Sequence, residues 1–384
     1  MATEREGPAL SSAEPFLPVC RPYLGGRELE RVTECLRSGW ISSSGPCVRE
    51  FEERFAAYLG VRHAVAVTSG TTALHLACSA LGLGPGDEIL VPAFTMIAPA
   101  FAVCYTGATP VFCDSSPDTW TLDPSRLEER ITPRTRAILA VHIYGHPCDM
   151  DAIRSIARRR GLAVIEDAAE AVGSEVRGAR CGNLGDVGCF SFFANKTVTC
   201  GEGGMVVTGS DEIARRCRSL KNMSFRASPM RTFHHEEIGF SYRMSSVSAA
   251  LGIAQLERVD EYVAMRRRNA SRYGALLAGV TGIILPPEAA WARNSYWMYA
   301  ILVDGRFGES RDALMERLAV AGIETRPFFV PLHQQPALRG FGGERDAHHP
   351  VAEMLGERGL YLPSSTDLTE AETERVCRAI RAGP

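Results

Sequence analysis

The sequence predicts an α/β protein, a mainly parallel central sheet with helices on both faces, followed by a smaller α+β unit. Three observations carry this. Short apolar runs without polar interruption alternate with amphipathic stretches from about residue 47 to 210. The chain has 384 residues, 45% hydrophobic and 23% charged, enough for two or three packed units around a large core. After about residue 245 the alternation gives way to a long helical pattern. The expected division is a flexible N-terminus at 1–15, a large unit at 16–245 and a small C-terminal unit at 246–384.

The buried strands are read from HAVAV (63–67), EILVP (88–92), TPVFCD (109–114), RAILAVHIYG (136–145), LAVIED (162–167), DVGCFSF (186–192) and GMVVT (204–208). Helices are expected between them at Thr72–Leu81, Pro124–Arg130 and Met150–Arg160. In the second unit, Ser246–Ala275 reads as one long helix, with Ala249, Ala250, Ile253, Leu256 and Val259 at core spacing. WMYAILV (297–303) follows as a strand, then a helix around Ser310–Ala321, a short strand near Ile323–Thr325 and a last helix from Glu370. Ligands of such sheets sit at the strand ends.

Composition narrows the function. Basic and acidic residues number 42 and 45, net −3, which argues against a protein built to neutralise nucleic-acid backbones. The triplets Arg158–Arg160 and Arg266–Arg268 read as solvated helix faces. Twelve scattered cysteines with no Cys-x-x-Cys pair read as reduced core thiols of a cytoplasmic protein, and the N-terminus lacks a secretory signal. Ile89–Cys113 is uncharged and long enough to cross a bilayer, but Pro92, Pro99 and Pro110 divide it into strand, helix and strand, so no membrane is expected.

Lysine is scarce: Lys196 and Lys221 are the two in the chain, and arginine provides the other basic residues. Only an amine can lose its proton and condense with a carbonyl. Lys196 follows Phe190, Phe192 and Phe193 and precedes the Gly201-Glu202-Gly203-Gly204 turn, apolar surroundings that disfavour the ammonium. Lys221 reads as an exposed helix end. Lys196 is the candidate nucleophile.

Two further constellations join it. Ser69-Gly70-Thr71-Thr72 turns a strand into a helix, a place where helical amides hold a phosphate, or else simply a capped helix start. Glu166-Asp167-Ala168-Ala169-Glu170 puts acids at the end of an apolar strand. Asp167 there suits a protonated heterocyclic nitrogen; a metal site or a strand emerging into solvent are the competing readings, and no histidine lies at ligand spacing. Phosphate cradle, acid and imine-forming amine together are the equipment for pyridoxal 5′-phosphate.

With these residues in place the sequence resembles the DegT/DnrJ/EryC1/StrS sugar aminotransferases. The likeness runs through Gly39-Trp40-Ile41, Ser69–Leu74, Pro85-Gly86-Asp87-Glu88, Val141–Gly145, Glu166–Ala169, the Lys196 segment, Tyr242-Arg243-Met244, Arg326-Pro327 and Leu362-Pro363-Ser364. The resemblance implies the aspartate-aminotransferase type (type I) of PLP fold, with Lys196 and Asp167 as catalytic residues. It implies that Gly70, Thr71 and Ser191 bind the cofactor phosphate, that Glu170 lies by the ring hydroxyl, and that Met96 covers the ring face where relatives often carry an aromatic. Ser241 stands where relatives send an asparagine from the partner subunit to the phosphate, and the family implies a homodimer with active sites at the interface.

Phe190–Lys196 followed by Gly201–Gly204 resembles family members that aminate carbon 4 of a nucleotide-linked 4-keto-6-deoxyhexose, with L-glutamate as donor and 2-oxoglutarate as product. Nucleotide recognition is expected from Trp40, Arg326 and His333, and the product is an aminosugar for a glycosylated natural product or surface glycan. Amination at carbon 3 or of a cyclitol ketone is the enzymatic alternative. A DNA-binding regulator is the remote one, disfavoured by the charge balance.

Overall fold

The computed structural model describes residues 15–226, 233–341 and 348–383. The N-terminal part folds as α1 (Glu28–Ser38), α2 (Pro46–Leu59), β1 (His63–Val67), α3 (Gly70–Ala80), β2 (Glu88–Pro92), α4 (Ala98–Tyr105) and β3 (Thr109–Cys113). It continues with β4 (Thr135–Val141), α5 (Met150–Arg160), β5 (Ala163–Asp167), the short β6 (Glu175–Val176) and β7 (Ala179–Arg180), β8 (Val187–Ser191), β9 (Gly204–Thr208) and α6 (Asp211–Leu220). The C-terminal part comprises α7 (Ser246–Leu256), α8 (Val259–Leu277), β10 (Ile283–Ile284), β11 (Ala292–Arg293), β12 (Tyr299–Val303), α9 (Arg311–Val320), β13 (Arg326–Pro327), α10 (Pro350–Arg358), β14 (Gly359–Leu362) and α11 (Glu370–Arg381).

Seven strands form the main sheet in the order β1-β9-β8-β5-β4-β2-β3. Neighbours from β8 to β3 run parallel, and β9 alone runs against both β8 and β1. Their apolar side chains alternate between two large clusters, one on each face: Val65, Ile89, Leu139 and Ile165 on one side, Ala66, Leu90, Ile138 and Val164 on the other. Both faces are therefore buried, which is why these strands read as unbroken apolar runs. A four-stranded sheet, β10-β12-β14-β13, packs with α8, α9 and α11 around a third cluster that includes Tyr273, Ile301, Leu314 and Val376.

Four expectations are corrected. Pro124–Arg130 forms two short 3-10 turns rather than an α-helix. The long helix breaks at Glu257-Arg258, where Arg258 leaves helical geometry (φ −124°) and bonds the Gly25 carbonyl and Glu261. The short strand expected near Ile323–Thr325 lies one step later at Arg326–Pro327, Ile323 making only an isolated bridge to Leu17. Arg266 is no solvated residue: it is buried against the carbonyls of Trp297 (2.6 Å) and Ser364 (2.8 Å) and the Thr366 hydroxyl. Helix α7, the first element after the expected 245/246 boundary, packs Ala249, Ile253 and Leu256 in a cluster of the main sheet.

All twelve cysteines are free. Among the described residues no helix is long and apolar enough to cross a membrane.

Candidate active site

A cavity of about 350 Å³ opens at the carboxyl ends of the parallel strands. Gly70 and Thr71 at the start of α3 line one side, with Ser191 at the end of β8. Asp167 at the end of β5, Glu170 just after it, and Lys196 after β8 line another. The strand register brings these together: Asp167 pairs with Cys189, two residues before Ser191.

Helix α3 begins as the sequence requires. The Ser69 hydroxyl accepts from Thr72 N–H (3.1 Å) while the Thr72 hydroxyl accepts from Ser69 N–H (2.9 Å). That reciprocal cap leaves the first-turn amides of Gly70 and Thr71 for a ligand, at the positive end of the helix dipole. Gly70 is held to glycine by space: a Cβ there would stand 2.7 Å from the Ser191 Cβ. The phosphate-cradle reading and the simple-cap reading thus coexist, since the cap residues are Ser69 and Thr72 and the lining residues Gly70 and Thr71.

The acids do not emerge into solvent. Glu166 is fully buried, outside the lining of this cavity, and accepts from His142 (3.0 Å) and from the amides of Gly182 (2.8 Å), Leu184 (2.6 Å) and Gly185 (2.5 Å). It thereby fixes the end of β5 on which Asp167 sits. Asp167 accepts from Ala169 N–H at 3.0 Å. Burial raises its carboxyl above the usual range, and the Ala169 amide, Lys196 and His142 counter this. A protonated ring nitrogen would offset that burial and hold Asp167 ionised. Glu170 accepts from Tyr144 N–H at 2.7 Å, and burial pushes its carboxyl up to about 7 against the pull of Lys196. Among the described residues no group of His, Cys, Asp or Glu is arranged to hold a metal.

Lys196 Nζ lies 3.7 Å from Glu170 Oε1. Burial pulls the amine below its ordinary value, with Glu170 and Asp167 opposing. The phenylalanines expected around it are arranged differently. Phe190 and Phe192 point into the core against Phe55, and only Phe193 lines the cavity. The aromatic ring at the amine is Trp297, whose centroid is 3.5 Å from Nζ.

Other expected positions divide. Met96 lines the cavity and is 46% exposed, so it is not a core residue. Ser241 lies outside the lining of this cavity, its hydroxyl accepting from Arg243 at 3.0 Å. Trp40, 55% exposed, lines a separate cavity with Glu52 and Lys221. Arg326 pairs with Glu324 at the surface. His333 is turned inward, 3.0 Å from Glu353 and against the His349 ring. None of these three lines the cavity of Lys196. Sequence reasoning passed over Thr95, Asn195, Trp297, Phe329 and Tyr361, all of which do. Lys221 is also corrected: its side chain is 14% exposed and is paired with Glu52 at 2.9 Å.

The donor set fits pyridoxal phosphate. A glycine-cradled helix start faces an amine and two buried carboxylates across one cavity, and the carboxylates lack a full complement of cations until a protonated ring enters.

Residues 22–381 match the DegT/DnrJ/EryC1/StrS aminotransferase family. The GDP-perosamine synthase of Caulobacter vibrioides is 46% identical over 367 residues, covering 95% of this chain and 98% of that protein. The dTDP-3-amino-3,4,6-trideoxy-alpha-D-glucose transaminase of Streptomyces venezuelae is 40% identical over 373 residues, covering 96% and 95%. Among solved structures, S. venezuelae DesV in complex with a ketimine intermediate superposes with a TM-score of 0.89 at 39% identity, covering 96% of this chain and 98% of that one.

Proposed function

The chain belongs to the DegT/DnrJ/EryC1/StrS aminotransferase family, and from that premise we propose that it moves an amino group from L-glutamate to carbon 4 of a nucleotide-linked 4-keto-6-deoxyhexose. Pyridoxal phosphate is the cofactor; when bound it would supply an electron sink and an aldehyde carbon that takes the amino group from the donor and gives it to the ketone. The observation that carries the reading is the convergence of Lys196, Asp167 and Glu170 opposite Gly70, Thr71 and Ser191 in one cavity.

The chain's own residues divide the work. Gly70 and Thr71 amides with the Ser191 hydroxyl hold the phosphate. Asp167 holds the proton on the ring nitrogen. Glu170 lies at the ring hydroxyl, and Met96 closes one ring face. Lys196 binds the cofactor aldehyde through Nζ. When not joined to the cofactor, the same amine would take up and give back a proton at Nζ, general acid–base work for which a lowered amine value is suited.

Carbon 4 is supported by the likeness to the perosamine synthase. The 40% identity to a transaminase named for a 3-amino sugar favours carbon 3 as the second reading. Incubation with L-glutamate and nucleotide-linked 4-keto and 3-keto sugars, with NMR location of the new amine, separates them. An amine at carbon 3, or turnover of a cyclitol ketone alone, contradicts the first.

A homodimer with the active site completed by the partner, Ser241 included, belongs to the same proposal. Exposed Trp40, Ile41, Tyr105, Phe193 and Ile238 support it, since surfaces of that kind are usually covered. Light scattering that gives a monomer at working concentration rules it out. A cytoplasmic setting and a product destined for a glycan or glycosylated metabolite complete the reading, the former supported by the twelve free thiols.

A further inference from the structure

Trp297 is tied into the site from three directions. Its indole N–H donates to the Asn195 carbonyl at 2.9 Å, one peptide before Lys196. Its own carbonyl accepts from the buried Arg266 guanidinium at 2.6 Å. Its ring stacks on Tyr144 at 16° between planes, and only 4% of the residue is exposed. The ring is therefore held by burial and bonding, and its face is 3.5 Å from the Lys196 amine. Glu170 Oε1 stands 3.7 Å from the same nitrogen.

We propose that Trp297 is a positioning residue for Lys196: its ring is the platform on which the released amine rests while it carries a proton. This rests on the reading of Lys196 as the cofactor-binding amine. The physical ground is that an ammonium over an indole face is stabilised by the ring quadrupole, most strongly where water is excluded. A bare carboxylate partner would do the same electrostatically, but at 3.7 Å Glu170 makes a loose contact, and Tyr144 N–H already engages its other oxygen. Trp297 thus retains the amine near the cavity without a directional hydrogen bond, leaving it free to swing back.

The other charged or titratable groups around the amine are Asp167 from β5, Cys20 from the N-terminal segment, and Glu202 and Tyr361 on the same cavity wall. A substitution at Trp297 leaves each of these groups in the chain, so the ring and its N–H to the Asn195 carbonyl are what the variants remove.

The experiment is competitive acetylation of the full-length chain freed of cofactor, with acetic anhydride across pH and quantitation of each lysine peptide by mass spectrometry. With only Lys196 and Lys221 present, the two lysine signals are unambiguous. Trp297→Leu removes ring and N–H together; Trp297→Phe removes the N–H and keeps a ring. The midpoint for Lys196 is expected to fall by about 0.5–1 pH unit in Trp297→Leu and by less in Trp297→Phe. Loss of packing alone would admit water to the amine and move the midpoint up, the opposite direction. Should Trp297→Leu fail to fold, the smaller shift in Trp297→Phe carries the test. Midpoints equal to or above wild type in the folded variants overturn the proposal, while borohydride labelling by pyridoxal phosphate at Lys196 leaves the functional reading standing. Labelling away from Lys196 overturns both.

Discussion

The two lysines are both mostly buried beside a glutamate and differ in what holds the nitrogen. Lys221, just after α6, donates to Glu52 at 2.9 Å and to the Ala66 carbonyl at 3.0 Å. Glu52 in turn accepts from Ala66 N–H at 2.7 Å. Every partner is within hydrogen-bond distance, so the amine is a fixed strut joining α2, β1 and α6. Lys196 has a carboxylate at 3.7 Å and a ring face, and it borders open volume. Burial alone does not mark a reactive amine; burial with unsatisfied directional bonding beside a cavity does.

Substitutions should separate the strut from the proposed nucleophile. Lys196→Ala is expected to lower turnover by about 10³-fold or more while leaving melting nearly unchanged, measured by NMR of sugar amination and by calorimetry. Activity close to wild type would remove the distinction. Lys221→Met should do the reverse. It strands Glu52 in a mostly buried place and costs about 3 kcal/mol of stability, with turnover per folded molecule kept within about twofold. Denaturant unfolding and active-site titration read the two quantities.

Two smaller effects probe the cavity itself. Gly70→Ala puts a Cβ 2.7 Å from Ser191 and is expected to weaken cofactor binding about tenfold or more, as measured by equilibrium dialysis. Unchanged affinity would place the phosphate elsewhere. Glu170→Gln bears on pH. The folded carboxyl is pushed up to about 7 from an ordinary 4.5, so the cofactor-free folded state binds more protons than the unfolded chain between those values. Stability from this group therefore falls as pH rises from 4.5 to 7. Glu170→Gln should flatten that part of the melting-temperature profile, and an unaltered slope would contradict the assignment.

Much of the fold was legible because the main-sheet strands are buried on both faces and bounded by glycine, proline or polar residues. HAVAV, EILVP and GMVVT were placed to the residue. The break at Glu257-Arg258 was not, because no glycine or proline marks it and the Gly25 carbonyl that Arg258 bonds there is distant in sequence. The same distinction governs the site. Gly70, Asp167, Glu170 and Lys196 sit in local motifs whose chemistry the neighbouring residues announce. Trp297 reaches Lys196 from about a hundred residues away in sequence, and Lys221 finds Glu52 across 169 positions. Contacts of that range leave no periodic trace in the chain. His333 shows the opposite failure: a histidine in a plausible segment whose ring the fold turns toward Glu353 instead of the cavity.

The most direct test is reduction of the pyridoxal phosphate-loaded protein with borohydride, followed by peptide mapping. The difference between the two amines predicts visible absorption near that of a protonated imine, its loss on reduction, and the whole label on the peptide containing Lys196. A label on Lys221, or no covalent label in a protein that still binds the cofactor, would contradict it.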